Sequence, residues 1–282
     1  MTAMRERPIG VFDSGLGGLT AVRELRRLLP HEDIVYFGDT GRVPYGTRGV
    51  DTIIRYAKQD IAFLLEQKVK FVMAACGTVS STLPAEFSAA LPVGFTGVVQ
   101  CTAQAAAAAT KTGRIGIIGT PATIASRSYE AALRALRSDV QITAQSCPLF
   151  VPLVENGYFN ADNEVTRLVA EDYLKPLQKT EVDTLILGCT HYPLIAPILA
   201  KVMGPQVALI DSGRETALCT AALLREADLL RNDGHIGTAQ YFVSDSTESF
   251  ATLSGWFLGE YAGGDVTRIS VDHYPADGGI SQ

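Results

Sequence analysis

The chain has 282 residues, of which 47% are hydrophobic and 19% charged, and its formal net charge is −6. This balance is typical of a compact folded protein of one large or two smaller domains, and it excludes a disordered or fibrous chain. An acidic balance argues against nucleic acid as the main partner. No apolar run approaches the roughly 20 residues of a membrane span and no secretory leader is evident, so we expect no membrane partner and a cytoplasmic location.

Short apolar segments alternate with helical patterns along the chain, which predicts an α/β fold with mostly parallel sheets. Apolar residues at helical spacing follow the first predicted strand from Leu19 until Pro30. The polar tail beyond about residue 265 is expected to fray. The predicted strands, in chain order, cover residues 8–12, 33–37, 69–75, 114–118, 182–187 and 207–210.

A weak internal repeat links the two halves of the chain. Residues 9–12 resemble 115–118 at an offset of 106, and residues 69–76 resemble 182–189 at an offset of 113. One such match arises easily by chance, whereas two in the same order at nearly the same offset indicate a duplication. If the duplication is real, two similar half-molecules face each other, with Cys76 and Cys189 at equivalent heights on their sheets.

The five cysteines differ in their surroundings. They are odd in number, widely spaced and without a CxxC pair, which excludes a regular disulfide framework and the usual zinc spacing. Ligands of open α/β sheets bind at the carboxyl ends of strands, and two cysteines directly follow predicted strands there. Backbone N–H groups near a helix start are expected to lower the pKa of these thiols. We therefore select Cys76 and Cys189 as site candidates, and we interpret Cys101, Cys147 and Cys219 as buried apolar residues.

The turn after the first strand carries Asp13 and Ser14. Gly15 and Gly17 resemble the start of a dinucleotide fingerprint, but position 20 is Thr instead of the third glycine. A nucleotide site is therefore not predicted. The glycines would instead bring the Asp13 carboxylate to the cleft, where it could meet a substrate ammonium group or orient Cys76.

Other polar residues at strand ends have more than one interpretation. His191 could bind a metal, assist a thiol or be structural, and a metal is least favoured because no third and fourth ligands cluster nearby. A protonated His191 would lower the pKa of a nearby thiol or bind a carboxylate. Asp39 and Glu155 could line a site or cap turns, and Asp211 also follows a strand. No lysine occupies a comparable position, so a pyridoxal-phosphate Schiff base has no anchor.

Several ordered blocks of this sequence resemble the bacterial glutamate racemases of the aspartate/glutamate racemase family. The blocks are Asp13-Ser14-Gly15-Leu16-Gly17-Gly18-Leu19, Gly38-Asp39-Thr40 through Val43-Pro44-Tyr45-Gly46, Ala75-Cys76-x-Thr78 and Gly188-Cys189-Thr190-His191-Tyr192-Pro193. The resemblance covers nearly the whole chain. It implies two pseudo-symmetric α/β domains with the active site in the cleft between them. We place the domains at residues 1–101 plus 213–282 and at residues 102–212.

The resemblance also implies an activity and its residues. Cys76 and Cys189 would exchange protons with the α-carbon of glutamate, supplying D-glutamate for peptidoglycan, with Glu155 assisting His191 and Asp13 also catalytic. No cofactor and no metal are implied, and a homodimer is usual in the family. The implied substrate-binding residues are Asp13, Ser14, Pro44, Tyr45, Gly46, Gly77, Thr78, Thr190 and His191.

One position departs from the family pattern and keeps alternatives open. The family commonly has Asn between the first cysteine and Thr78, whereas this chain has Gly77. The lost side-chain amide leaves an aspartate or hydantoin racemase of the same superfamily as an alternative. A cysteine hydrolase with His191 as base would leave Cys76 and the repeat without a role. Some relatives inhibit DNA gyrase, and no sequence feature supports or excludes that binding role here.

Overall fold

The computed structural model describes residues 2–275, in which parallel strands alternate with helices. The strands are β1 (Ile9–Asp13), β2 (Ile34–Gly38), β3 (Phe71–Ala74), β4 (Gly94–Gly97), β5 (Arg114–Gly119), β6 (Gln141–Ser146), β7 (Thr184–Leu187), β8 (Ala208–Asp211), β9 (Ala239–Val243) and β10 (Val266–Arg268). The helices are α1 (Thr2–Arg5), α2 (Leu19–Leu28), α3 (Val50–Glu66), α4 (Gly77–Ser80), α5 (Ala85–Ala89), α6 (Val98–Ala109), α7 (Pro121–Ser126), α8 (Ser128–Leu136), α9 (Phe150–Glu155), α10 (Glu164–Lys179), α11 (Ala196–Met203), α12 (Ser212–Glu226) and α13 (Thr247–Leu258). Short 3₁₀ turns cover Tyr45–Thr47, Tyr192–Ile195 and Gly259–Tyr261.

The strands form two separate parallel sheets. The first has the order β10-β9-β2-β1-β3-β4 and the second the order β6-β5-β7-β8. In β1, Ile9 and Val11 join one apolar core cluster while Phe12 joins another, because helices cover both faces of the sheet. The predicted α/β class with parallel sheets is confirmed. We call the parts of the chain built on these sheets the first and second lobes.

The two sheets share one topology. The order β2-β1-β3-β4 in the first lobe matches β6-β5-β7-β8 in the second. Ile9 pairs with Phe71, and Ile115 pairs with Thr184. Cys76 follows Phe71 by five residues and Cys189 follows Thr184 by five, so the two cysteines occupy equivalent positions beyond equivalent strands.

Two helices connect the lobes and pack against each other. Helix α6 leads from β4 to β5, and α12 leads from β8 back to β9. Cys101 on α6 and Cys219 on α12 form a disulfide with Cα atoms 6.1 Å apart. The expectation that these two cysteines are unpaired was therefore wrong, because a sequence separation of 118 hides their proximity in the folded chain. Cys147 is free and buried, as expected.

The chain beyond residue 265 also differs from expectation. The tail was expected to fray from about that point, but Val266–Arg268 forms β10 and pairs in parallel with Tyr241–Val243 of β9. Backbone hydrogen bonds to β9 order this segment in spite of its polar sequence. The rest of that expectation, from residue 276 onward, lies outside the described residues. Between residues 2 and 275, no helix combines the length and the apolar character needed to cross a membrane.

A buried ion pair closes the amino-terminal end of the first sheet. The Nζ atom of Lys70 contacts Glu32, and it also donates to the carbonyl oxygens of Arg5 (2.7 Å) and Leu229 (2.9 Å). The Lys70 side chain is 0% exposed and that of Glu32 is 2% exposed. Removing one partner of such a pair leaves a buried charge without compensation.

We expect Lys70→Met to lower the free energy of unfolding by about 3–5 kcal/mol, since Glu32 would stay buried and unpaired. Urea denaturation of both proteins would measure the difference. The matched control is Lys175→Met, which removes a lysine that is 63% exposed in its pair with Asp172 and should change stability little. Equal stability losses in the two variants would contradict this account of the Glu32–Lys70 pair.

Candidate active site

A cavity of about 320 Å³ lies between the carboxyl ends of the two sheets. The first lobe contributes Ser14, Gly15, Val43, Pro44, Tyr45, Gly46, Thr47, Cys76, Gly77 and Thr78. The second lobe contributes Thr120, Pro121, Cys147, Pro148, Val151, Pro152, Glu155, Gly188, Cys189, Thr190 and His191. Loops that follow parallel strands of both lobes thus meet in one cleft, where ligands of such sheets bind.

The structure brings the predicted site residues together with one exception. Every catalytic or substrate-binding residue that the family resemblance implies lines the cavity except Asp13. Sequence reasoning missed Thr120, which directly follows β5 and whose hydroxyl lies 3.2 Å from that of Thr78 across the lobes. The strand-end rule that selected Cys76 and Cys189 would also have selected Thr120. Sequence reasoning also missed Cys147 and Pro148. They follow β6, whose polar sequence did not predict a strand.

Cys76 enters the cavity from the first lobe. It is the residue before α4 and is only 4% exposed, and its Sγ contacts Ser14 Oγ at 3.5 Å. Burial, together with the charge of Asp13, raises the pKa of the Cys76 thiol to about 12. The sequence-based expectation of a lowered pKa was therefore wrong for Cys76, because desolvation outweighs the N–H groups of a helix only four residues long.

Cys189 enters from the second lobe with a histidine beside it. The distance from Cys189 Sγ to His191 Nδ1 is 3.9 Å, and His191 Nε2 lies 2.9 Å from Glu155 Oε1. Burial alone would lower the pKa of His191, but hydrogen bonds to Cys189 and Glu155 raise it to about 10. His191 therefore carries a proton at neutral pH and places a positive charge beside the Cys189 sulfur. The 3₁₀ turn begins at Tyr192, so the expected helix start is not directly at Cys189.

Asp13 lies behind the cavity wall instead of in it. The residue is 1% exposed, and its Oδ2 accepts a hydrogen bond from the Gly15 N–H at 3.0 Å. Its Oδ1 has no hydrogen-bond partner among the described residues. Burial raises the pKa of Asp13, while the charge of His191 opposes the rise. This position favours a role in orienting Cys76 over direct contact with a substrate ammonium group.

The other strand-end carboxylates face away from the cavity. Asp39 binds Arg42 and Ser244 Oγ, the latter at 2.7 Å. Asp211 caps α12 by accepting hydrogen bonds from the N–H groups of Gly213 (2.9 Å) and Arg214 (3.2 Å). Within residues 2–275, no group of His, Cys, Asp or Glu side chains is arranged to hold a metal ion.

Gly77 lies at a close approach of the two lobes. A Cβ atom at this position would lie 2.5 Å from the carbonyl oxygen of Gly188 in the second lobe. That is a backbone atom and cannot rotate away, so the lobes would have to separate to admit any side chain. Gly77, which stands where Asn is usual, therefore permits the close approach of the two lobes.

Comparisons with known proteins agree with this geometry. The Asp/Glu/Hydantoin racemase family matches residues 19–220. A glutamate racemase of Geobacter metallireducens is 43% identical over 266 residues, which cover 94% of this chain and 97% of that protein. Two solved structures are also similar, one of a Francisella tularensis glutamate racemase in complex with D-glutamate and one of a Thermus thermophilus glutamate racemase in complex with β-chloro-D-alanine.

The structural agreement extends over almost the whole chain. The Francisella protein has a TM-score of 0.88 at 35% identity and covers 96% of this chain and 100% of its own. The Thermus protein has a TM-score of 0.85 at 42% identity and covers 94% of this chain and 98% of its own. The chain therefore belongs to the Asp/Glu/Hydantoin racemase family.

Proposed function

We propose that this chain is a glutamate racemase that interconverts L- and D-glutamate without a cofactor, and that its D-glutamate supplies peptidoglycan synthesis. The observation that carries the proposal is the placement of Cys76 and Cys189 in one cavity, beyond equivalent strands of two lobes with the same topology. Racemisation requires proton removal from one face of the α-carbon and proton return to the other. Two thiols on opposite walls meet this requirement without movement of either base.

The proton balance of the reaction follows from this arrangement. One cysteine is a thiolate and takes the α-proton, which breaks the C–H bond and leaves its electron pair on the α-carbon. The other cysteine is a thiol and donates its proton to the opposite face. The enzyme then holds the protonation state suited to the reverse direction.

The α-proton is a very weak acid, so the carbanion needs stabilisation. The hydroxyl groups of Ser14, Thr78 and Thr190 line the cavity and supply donors for the substrate carboxylate. In a site closed to water, such donors stabilise developing charge more strongly than they do in solution. Pro44, Tyr45 and Gly46 form another part of the wall and are assigned to substrate binding.

The two thiols have different neighbours. The protonated His191 lies beside Cys189 and attracts a thiolate, and Glu155 holds the histidine in place. On the other wall, burial and Asp13 favour the neutral form of Cys76. The charged surroundings of the two thiols therefore differ, with His191 beside Cys189 and Asp13 near Cys76.

Exchange of the α-hydrogen tests the proposal. In D₂O without added cofactor, the protein should incorporate deuterium into both enantiomers of glutamate and convert each into the other. Aspartate, measured in parallel, separates the glutamate specificity from that of an aspartate racemase. A cysteine hydrolase would cleave an amide or ester and leave the α-hydrogen in place, so absence of exchange would reject the racemase.

Three further properties belong to the same proposal. The domains would be residues 1–101 plus 213–282 and residues 102–212, which is supported by the assignment of β1–β4, β9 and β10 to one sheet and β5–β8 to the other. We also propose a cytoplasmic location, where its substrate glutamate is found, and a homodimer as in the family. Light scattering coupled to size-exclusion chromatography would measure the oligomeric state.

Restoring the usual Asn at position 77 is expected to impair the enzyme. Since any Cβ there would meet the Gly188 carbonyl oxygen, Gly77→Asn should hold the lobes apart and lower kcat/KM for glutamate about 10-fold. The matched control is Gly49→Asn, because Gly49 precedes α3 and a Cβ there meets no atom within 4 Å. Wild-type or higher activity of Gly77→Asn would show that the close approach of the lobes is not required.

A further inference from the structure

The loop from β2 to α3 forms the cavity wall at Pro44, Tyr45 and Gly46. Apart from the three-residue turn Tyr45–Thr47, this loop has no regular structure to set its backbone. Neither a sheet ladder nor a long helix therefore holds these wall residues in place. Their position depends on contacts made by side chains.

Three side chains of the loop and one side chain of α3 form a polar cluster that we call the loop anchor. It consists of Asp39, Arg42, Tyr45 and Asp60. The hydroxyl of Tyr45 contacts Asp39 and lies 3.1 Å from Asp60 Oδ2. Arg42 bridges the same two carboxylates, with its Nε 2.6 Å from Asp39 Oδ2 and its Nη2 2.9 Å from Asp60 Oδ1. Asp60 belongs to α3, so the anchor ties the loop to a long helix.

The loop anchor is almost completely withdrawn from water. Asp39 and Asp60 are 0% exposed and Tyr45 is 1% exposed. Two carboxylates face one guanidinium group, so the anchor lacks full charge compensation by Arg42 alone. Burial and the neighbouring Asp39 raise the pKa of Asp60. The Tyr45 hydroxyl lies within hydrogen-bond distance of both carboxylates, and Arg42 contacts both of them. Every member then has a partner.

Such a cluster is costly compared with apolar packing, because each polar group must be desolvated. Its other contacts, from Arg42 to Gln59 (2.6 Å) and from Ser244 to Asp39 (2.7 Å), also lie outside the cavity wall. Tyr45 is the member of the loop anchor that lines the cavity. The directional hydrogen bonds of the anchor therefore converge on the residue that shapes the site.

We propose that Asp60 is a positioning residue of the racemase, which fixes the Tyr45–Gly46 wall against the substrate through the Tyr45 hydroxyl. The inference rests on the proposed assignment of Tyr45 and Gly46 to substrate binding. Asp60 touches neither the cavity nor the two cysteines, so it acts on binding through the loop. Loss of the anchor frees the wall residues while leaving the proton-transfer groups in place.

The test uses Asp60→Ala, Tyr45→Phe and the double variant in the full chain. Tyr45→Phe removes a single oxygen atom and interrupts the same contact, so it remains informative if Asp60→Ala does not fold. We expect each single variant to raise KM for glutamate about 10-fold with kcat within about twofold of wild type. The two increases in KM should not multiply in the double variant, because both changes break the contact between Tyr45 and Asp60.

A control separates positioning from loss of stability. Lys70→Met also breaks a buried ion pair, but at the opposite end of the sheet, so it should lower stability without changing KM. KM values of Tyr45→Phe and Asp60→Ala within twofold of wild type, or a KM rise of the same size in Lys70→Met, would overturn the inference. If the wild-type protein itself neither exchanges nor racemises glutamate, it is the proposed function that fails.

Discussion

Replacement of either Cys76 or Cys189 by alanine is expected to abolish racemisation, with a fall in turnover of about 10⁴-fold or more. Each thiol serves one face of the α-carbon, and the opposite thiol cannot supply or accept a proton there. Polarimetry or circular dichroism of glutamate would follow the conversion. The remaining thiol still faces the α-carbon from its own side, so each variant should exchange the α-hydrogen of one enantiomer without inverting it.

The exchange pattern makes the two alanine variants complementary. Cys76→Ala and Cys189→Ala should label opposite enantiomers with deuterium, as expected for thiols at equivalent positions on facing lobes. Cys147→Ala is the matched control, since Cys147 is a buried free thiol beside the same cavity and is assigned no proton transfer. A fully active Cys189→Ala protein would rule out the two-cysteine mechanism.

His191→Asn is expected to lower turnover about 100-fold and to affect the two directions unequally, because His191 contacts Cys189 and lies on the wall opposite Cys76. The pKa of His191 is raised to about 10, so its positive charge persists through neutral pH and is lost as the pH rises through about 10. Wild-type activity should decline over that range. The variant should lack this particular alkaline decline.

The same raised pKa has a consequence for stability. Because the pKa of His191 lies above its ordinary value of 6.5, protonation favours the folded state. This contribution is fully present below about pH 6.5 and is lost as the pH rises to about 10. His235→Asn is the control, since His235 is 31% exposed and binds Asp33 away from the cavity. The free energy of unfolding would be measured against pH for each protein. Identical profiles for wild type and His191→Asn would contradict the role assigned to His191.

Much of the fold and the site could be predicted from local sequence patterns. Apolar runs of four to seven residues marked the central strands of both sheets within one to two residues, since a buried parallel strand is apolar on both faces. The repeat placed Cys76 and Cys189 at equivalent strand ends before any family was considered. Strand burial and strand ends leave their pattern in neighbouring residues, and such patterns can be compared between segments before the fold is known.

Contacts between distant segments left no such pattern. The Cys101–Cys219 disulfide joins residues 118 positions apart, and the pairing of β10 with β9 depends on where the sheet edge lies. Asp60 appears in the sequence as one more charged residue of an amphipathic helix. Only the packing of α3 beneath the β2–α3 loop brings it to the Tyr45 hydroxyl.

The two cysteines show where this division lies. The sequence by itself selected Cys76 and Cys189, which line the cavity, because each follows a strand and the two strands belong to a repeat. It did not determine their protonation, since the expected lowering of the Cys76 pKa was reversed by burial beside Asp13. Protonation depends on desolvation and on charges that folding brings close from distant positions, such as Asp13 near Cys76 and Glu155 beside His191, and these arise only in the tertiary structure.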